Sequence, residues 1–216
     1  RAKANIAYLS ENNIKVTQRI VDLQSAMSIF HSALTTEDYE VPEGHYEEEQ
    51  MKQTVVPNRN AIFASILYGY ALSIATKNDT SVKIGLGVHS GDHEIYPDCR
   101  PEFYDALEHA FQVGNWDSEK VSFYLPYLDG DKETILIDAE KSLDKLNLDF
   151  DTIFANTNTS YNPDEQGRSS GKSGADIERI LAFNAIGRKD PVPYVEGWSK
   201  VLEHAIKTEK EHKEKI

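Results

Sequence analysis

The stretch VPNRNAIFASILYGYALSIATKN (56–78), followed almost at once by VKIGLGV (82–88), constrains the fold more than any other feature of the chain. The first is apolar nearly all round. Pro57 and Asn58 stand at its start and Lys77 and Asn78 at its close, which predicts a long helix buried on more than one face. The second sets Val82, Ile84, Leu86 and Val88 at period two and predicts a strand. Gly85 and Gly87 in that strand leave room for another group to approach its backbone.

The same alternation recurs along the chain. Residues 1–13 read as the end of a helix and 14–23 as a strand. Residues 100–114 read as an amphipathic helix stopped by Gly114, and 121–128 as a short strand or extended segment. Asp131 to Leu146 has Ile135, Leu136, Ala139, Leu143 and Leu146 at core spacing for a helix. Residues 149–157 read as extended, and helices follow over 174–186 and 195–209, with the charged 207–216 end expected to fray. PEGHYEEEQ (42–50) reads as a solvated acidic loop. Alternating strands and helices predict an α/β fold with a parallel sheet. The expected division is an α/β domain over 1–150 and a C-terminal segment over 151–216. A doubly wound sheet carries a strand before its first helix, with a ligand loop between them; neither occurs in these residues, so the α/β domain is expected to lack its first strand.

Composition narrows the function classes. A formal net charge of −13 disfavours sequence-independent nucleic-acid binding and leaves room only for a local basic pocket. Cys99 is the single cysteine, so no intrachain disulfide forms, and an intracellular protein is expected. The longest uncharged run, near 61–75, is too short to span a bilayer. A soluble cytoplasmic protein is the expectation.

GRSSGKSGADIER (167–179) ends in the G-K-S of a phosphate-binding loop. That motif needs five positions between its glycines' starting points and a strand before it. Gly167 precedes Gly171 by four, and TNTSYNPDEQ before it is polar, so the phosphate-loop reading is rejected. Two readings remain. Ser160, Ser170, Ser173 and Asp176 have the x9, x2, x2 spacing that four cysteines would have in a zinc knuckle; or the stretch is a Ser/Gly-rich loop that never held a metal. Serine hydroxyls do not ionise near neutral pH, so no tightly bound zinc is expected in either case.

VVPNRNAIF (55–63), GVHSGDHEIYPDCRPEF (87–103), VPEGHYEEEQM (41–51) and TSYNPDEQGRSSGKSGADIER (159–179) resemble, in register, segments of the 7-cyano-7-deazaguanine synthase family. YPDCRPEF is the most specific of them. The resemblance implies a Rossmann-like ATP pyrophosphatase fold of the adenine nucleotide alpha hydrolase type, with helices on both sheet faces and a small C-terminal knuckle-like region. It implies conversion of 7-carboxy-7-deazaguanine and ammonia to the 7-cyano compound. The carboxylate is activated as an adenylate, ammonia displaces AMP, and a second ATP-dependent activation dehydrates the amide. The product feeds queuosine or archaeosine, or deazaguanine DNA modification. ATP and magnesium are the implied cofactors, and a homodimer is the implied assembly. The family's zinc segment has its four cysteines replaced here by Ser160, Ser170, Ser173 and Asp176, which suggests loss of the metal as a unit. The family's S-G-G-x-D-S loop is absent from these residues, so this 216-residue chain alone is expected not to release pyrophosphate from ATP. The alternative is a non-catalytic deazaguanine-binding or scaffold relative.

Individual residues carry competing readings. Arg59 and Asn60 open the long helix; they either cap it and pair on the surface or, as the resemblance implies, contact nucleotide or substrate. Asp92 is a turn residue or lies at the ligand-binding end of the 82–88 strand. Asp98 is an N-cap for the helix from Arg100, or accepts hydrogen bonds from the N–H edge of a deazaguanine. Arg100 suits a substrate carboxylate, and Tyr96 suits stacking or bonding to the base. Cys99 reads as a small buried hydrophobe, the alternative being a nucleophilic or thioimidate role for which no nearby base is evident; His89 and His93 read as loop histidines without metal-ligand geometry.

Overall fold

A computed structural model describes residues 1–35, 42–45, 49–93, 96–161 and 163–214. In chain order it holds α1 (Ala2–Glu11), α2 (Gln24–Met27), α3 (Arg59–Asn78), β1 (Val82–Gly85), α4 (Pro101–Gly114), β2 (Val121–Tyr124), α5 (Lys132–Leu146), α6 (Phe150–Ala155), α7 (Gly174–Ala185) and α8 (Trp198–Lys213). These elements form two compact units: residues 55–131, and residues 1–54 together with 132–216.

The 55–131 unit has the α/β character expected. β1 and β2 pair in parallel, from Val82 opposite Val121 to Gly85 opposite Tyr124. The strand signal over 82–88 is realised only to Gly85, with one further bond from the Leu86 N–H to the Tyr124 carbonyl at 3.1 Å. A Cβ at Gly85 or Gly87 would meet nothing within 4 Å among the described residues, so the space beside both glycines is open. The core joins Tyr68, Ala71 and Ala75 of α3 to Ile84 and Val121, with Phe111 and Phe123 against them. α3 departs from expectation. Ala64, Tyr68, Ala71 and Ala75 bury one face, while Phe63, Leu67 and Tyr70 remain 41–47% exposed. The small alanines let the helix lie close on the strands, and the described residues of the unit cover only that side.

In the other unit α7 is the most enclosed element, burying residues from Gly174 to Phe183 that include Asp176 and Arg179. Ile177 and Ile180 pack on Tyr194, Val201 and Ala205, and Ala182 and Phe183 pack on Leu136 and Phe150. Three expectations are corrected. Residues 14–23 form no ladder; Ile20 and Val21 are exposed, and apolar β-branched composition makes no strand without a paired neighbour. Residues 150–155 are helical because the Asp149 carboxylate accepts the Thr152 N–H at 2.7 Å, an N-cap. α8 starts later than expected, after Gly197 at φ 78°, and stays helical to Lys213 with Lys207–Glu211 and Lys213–Glu209 pairs along its exposed face. Of the acidic loop, 46–48 lie outside the described residues, Glu43 bridges to Ser173, and Glu49–Thr54 form a 3-10 turn. No described helix is long and apolar enough to cross a membrane.

Candidate active site

Pro57 and Asn58 turn the chain into α3, with Asn58 in the left-handed region at φ 60°. Asn58 offers no side-chain cap, so the first N–H groups of α3 need another acceptor. Asp98 supplies it. Its Oδ2 accepts the Asn60 backbone N–H at 3.4 Å, while the Asn60 amide donates to the Asp98 carbonyl and to the Cys99 Sγ, each at 3.4 Å. Asp98 is therefore not the N-cap of its own following helix. That position belongs to Arg100, with Pro101 opening α4 and needing no acceptor.

The second oxygen of Asp98, Oδ1, is buried and accepts no hydrogen bond among the described residues. A buried carboxylate oxygen without a donor is costly, so this atom is poised to receive one. Arg59 stands beside it. Its guanidinium lies 5.8 Å from the ring centroid of the buried Tyr96, and its Nε donates to the Asn60 Oδ1 at 3.4 Å. Cation–π contact holds the arginine while leaving its terminal nitrogens for an anion.

The chain leaving β1 supplies the rest. Ser90 is pinned by its N–H and its hydroxyl to the Gly130 carbonyl, at 2.8 and 2.6 Å. His89 lies in the loop after β1 and is buried, its Nε2 3.4 Å from the Asp92 carboxylate. The Asp92 carbonyl accepts the Tyr96 N–H at 2.9 Å. Arg100 is exposed and spends its Nε on the His93 carbonyl at 2.8 Å. Glu94 and Ile95 lie outside the described residues.

Cys99 is buried, and that burial, reinforced by Asp92 and Asp98, pushes its thiol up to about 12. The same three influences, with the thiol added, raise Tyr104 beside it. Both groups are neutral at physiological pH, which fits Cys99 as a buried small hydrophobe. Arg59, Asn60, Tyr96 and Asp98 are thus brought together directly, and Asp92 and Arg100 join them through the intervening loop. The constellation combines a helix N-terminus and a guanidinium, which favour an anion, with a carboxylate oxygen that favours an N–H donor.

Ser160, Ser170, Ser173 and Asp176 lie in the other unit. Ser173 caps α7, its Oγ accepting the Asp176 N–H at 3.2 Å. Asp176 is fully enclosed and accepts the Gly171 N–H at 3.3 Å and the Thr159 hydroxyl at 3.4 Å. Ser170 accepts the Lys172 N–H at 3.2 Å, and the Ser160 N–H donates to the Asn158 Oδ1 at 3.1 Å. Three hydroxyls and one already bonded carboxylate do not fit zinc, which takes thiolate, imidazole or free carboxylate donors. Among the described residues no group of three or more His, Cys, Asp or Glu is arranged to hold a metal. The sequence signal missed here is Ser-x-x-Asp ahead of an apolar helix, a capping-box pattern. Also missed was a buried network: Arg179 pairs bidentately with Asp190 at 2.6 and 2.9 Å, and the Tyr194 hydroxyl donates to Asp190 at 2.7 Å.

Residues 2–187 match the family model described as queuosine biosynthesis protein QueC. The chain is 41% identical over 179 residues to the 7-cyano-7-deazaguanine synthase of Marinomonas sp. strain MWYL1, covering 83% of this chain and 74% of that protein. It is 39% identical over 181 residues to 7-cyano-7-deazaguanine synthase 1 of Colwellia psychrerythraea, covering 84% and 75%. The corresponding enzyme of Caldicellulosiruptor saccharolyticus is 40% identical over 181 residues, covering 84% and 73%. No solved structure matches the chain.

Proposed function

The chain belongs to the QueC family of queuosine biosynthesis proteins, and on that premise we propose that it is an ATP-dependent ligase making 7-cyano-7-deazaguanine from 7-carboxy-7-deazaguanine and ammonia. The observation that carries this reading is the match along residues 2–187, which takes in every segment that forms the constellation around Asp98.

The constellation suits such a substrate. A deazaguanine presents N–H donors along one edge, and the Asp98 Oδ1 is an acceptor lacking one among the described residues. Tyr96 gives the base an aromatic neighbour, and Asp92 holds the loop that carries it. The substrate carboxylate pairs with the terminal nitrogens of Arg100, whose Nε is already fixed. Arg59 and the Asn60 end of α3 take negative charge from nucleotide or substrate. ATP, carrying magnesium on its phosphates, supplies the activation that turns the carboxylate oxygen into a leaving group. No S-G-G-x-D-S loop occurs in these residues, so gripping those phosphates is assigned to none of them. A homodimeric cytoplasmic enzyme with no direct nucleic-acid contact completes the reading, supported by the family, the single cysteine and the charge of −13.

The test incubates the natural full-length protein with the carboxylate, ammonium and Mg-ATP, following product by mass spectrometry. Nitrile formed with AMP release supports the enzyme. Tight binding of the deazaguanine with no ATP consumed sinks it and leaves a non-catalytic binder.

A further inference from the structure

We propose that a buried hydrogen-bonded knot centred on Asp176 is a metal-free staple that holds residues 157–195 together. Before α7 the described residues from 156 to 173 form no helix or strand of their own, apart from single bridges. Such a segment needs a cross-link to hold one conformation, and a metal is one solution to that problem.

The knot has the opposite polarity to a metal site. A cation draws lone pairs inward, whereas here donors converge on an anion. The Gly171 N–H and the Thr159 hydroxyl point at the two Asp176 oxygens. The Ser173 hydroxyl also favours the charged carboxylate, while Ser169 donates its hydroxyl proton to the Asn158 Oδ1 at 3.1 Å. An ion at this spot would face the Gly171 N–H.

Backbone bonds fix the same turn from two sides. The Gly44 N–H donates to the Lys172 carbonyl at 3.0 Å, and the Val195 N–H donates to the Ser169 carbonyl at 3.0 Å. Gly171 sits at φ 79° against α8. One turn further along α7, Arg179 ties Asp190 to the Thr157 hydroxyl, the latter at 2.8 Å. The start, middle and end of the segment are therefore all joined to the first two turns of α7 without a metal.

The test measures zinc content and thermal unfolding of the purified natural protein, with and without a strong chelator and with added zinc. Expected are less than a tenth of an equivalent of zinc, on the order of contamination, and an unchanged Tm in all three conditions. Asp176→Ala, which strands buried donors, should lower Tm by about 5 °C, and Asp176→Asn by less, because its amide still offers one acceptor and one donor pair. Stoichiometric zinc, a chelator-induced fall in Tm that zinc reverses, or an Asp176→Ala protein as stable as wild type overturns the proposal. If Asp176→Ala does not fold, Thr159→Val reports on the same knot: a Tm equal to wild type counts against it.

Discussion

Asp98 caps a helix far back in the chain, its Oδ2 accepting the N–H of Asn60, 38 residues earlier, at 3.4 Å. One carboxylate thereby fastens the loop before α4 to the first turn of α3, while its other oxygen stays buried without a donor among the described residues. The two oxygens divide the labour. One maintains the fold, and the other is assigned to the ligand.

Replacing Asp98 separates these roles. Asp98→Ala should cost about 1 kcal/mol of stability, the usual loss for a helix N-terminal cap, and should also weaken deazaguanine binding. Asp98→Asn keeps an oxygen for the Asn60 N–H and should lose binding with little loss of stability. Urea midpoints and calorimetric titration check the pair; equal binding by Asp98→Asn and wild type would remove Asp98 from the site.

Cys99 should resist alkylation. A thiol pushed up to about 12 has a thiolate fraction on the order of one in ten thousand at pH 8. Iodoacetamide should leave native Cys99 unmodified over hours and label it readily in urea. Fast labelling of the folded protein would contradict the buried, neutral thiol.

Arg179→Ala should destabilise the protein by about 3–5 kcal/mol, because it leaves the enclosed Asp190 charge without its partner. Replacing both Arg179 and Asp190 with apolar residues of similar size should cost less than Arg179→Ala alone. Denaturant titration of the single and double variants decides; a milder single variant would argue against the pairing.

Gly171→Ala tests the turn. At φ 79° an L residue is strained, and the added Cβ would fall 2.6 Å from the Val201 Cγ1. A loss above about 2 kcal/mol is expected from strain and overpacking together. A near-wild-type Tm for this variant would show that the turn relaxes away from α8.

Asp176 should also leave a trace in the pH dependence of stability. Burial raises its carboxyl, and the hydrogen bonds from Ser173, Gly171 and Thr159 only partly offset this. The folded state therefore holds that proton to higher pH than the unfolded chain. Below 3.8, its ordinary value, the group contributes no slope. As pH rises from there through the folded-state value, this contribution to stability falls, then levels off. The stability of Asp176→Asn relative to wild type should rise across that window, read from urea midpoints at several pH values. A flat difference would mean the carboxyl is not raised.

How much of this was legible in the sequence depended on whether the cause was local. α3, α4, α5 and α7 followed from apolar spacing and from stops such as Gly114, and β1 from its period of two. The 14–23 stretch failed because strand formation is decided by a partner, which composition cannot supply. Residues 150–155 failed because one capping residue, Asp149, outweighed a β-prone composition. At the site, motif resemblance gathered Arg59, Asn60, Tyr96 and Asp98, and these do meet. The direction of the Asp98 cap was hidden, since sequence offers the nearest helix first and the fold chose a distant one. Ser173 and Asp176 were read as heirs of metal ligands, although their spacing also spelled a capping box.

The two units differ in how the chain closes them. Residues 55–131 form theirs from one uninterrupted stretch, while the other unit needs 1–54 and 132–216 together. The His45 ring bonds to Glu209 across 164 residues, and Gly44 bonds to Lys172. During synthesis, then, α3, β1 and β2 are all made long before the ribosome reaches α8, whereas residues 42–45 must wait for their partners. The order of assembly is written into the order of the chain, and pulsed hydrogen exchange on a refolding sample would register it as earlier protection in β1 and β2 than at Gly44.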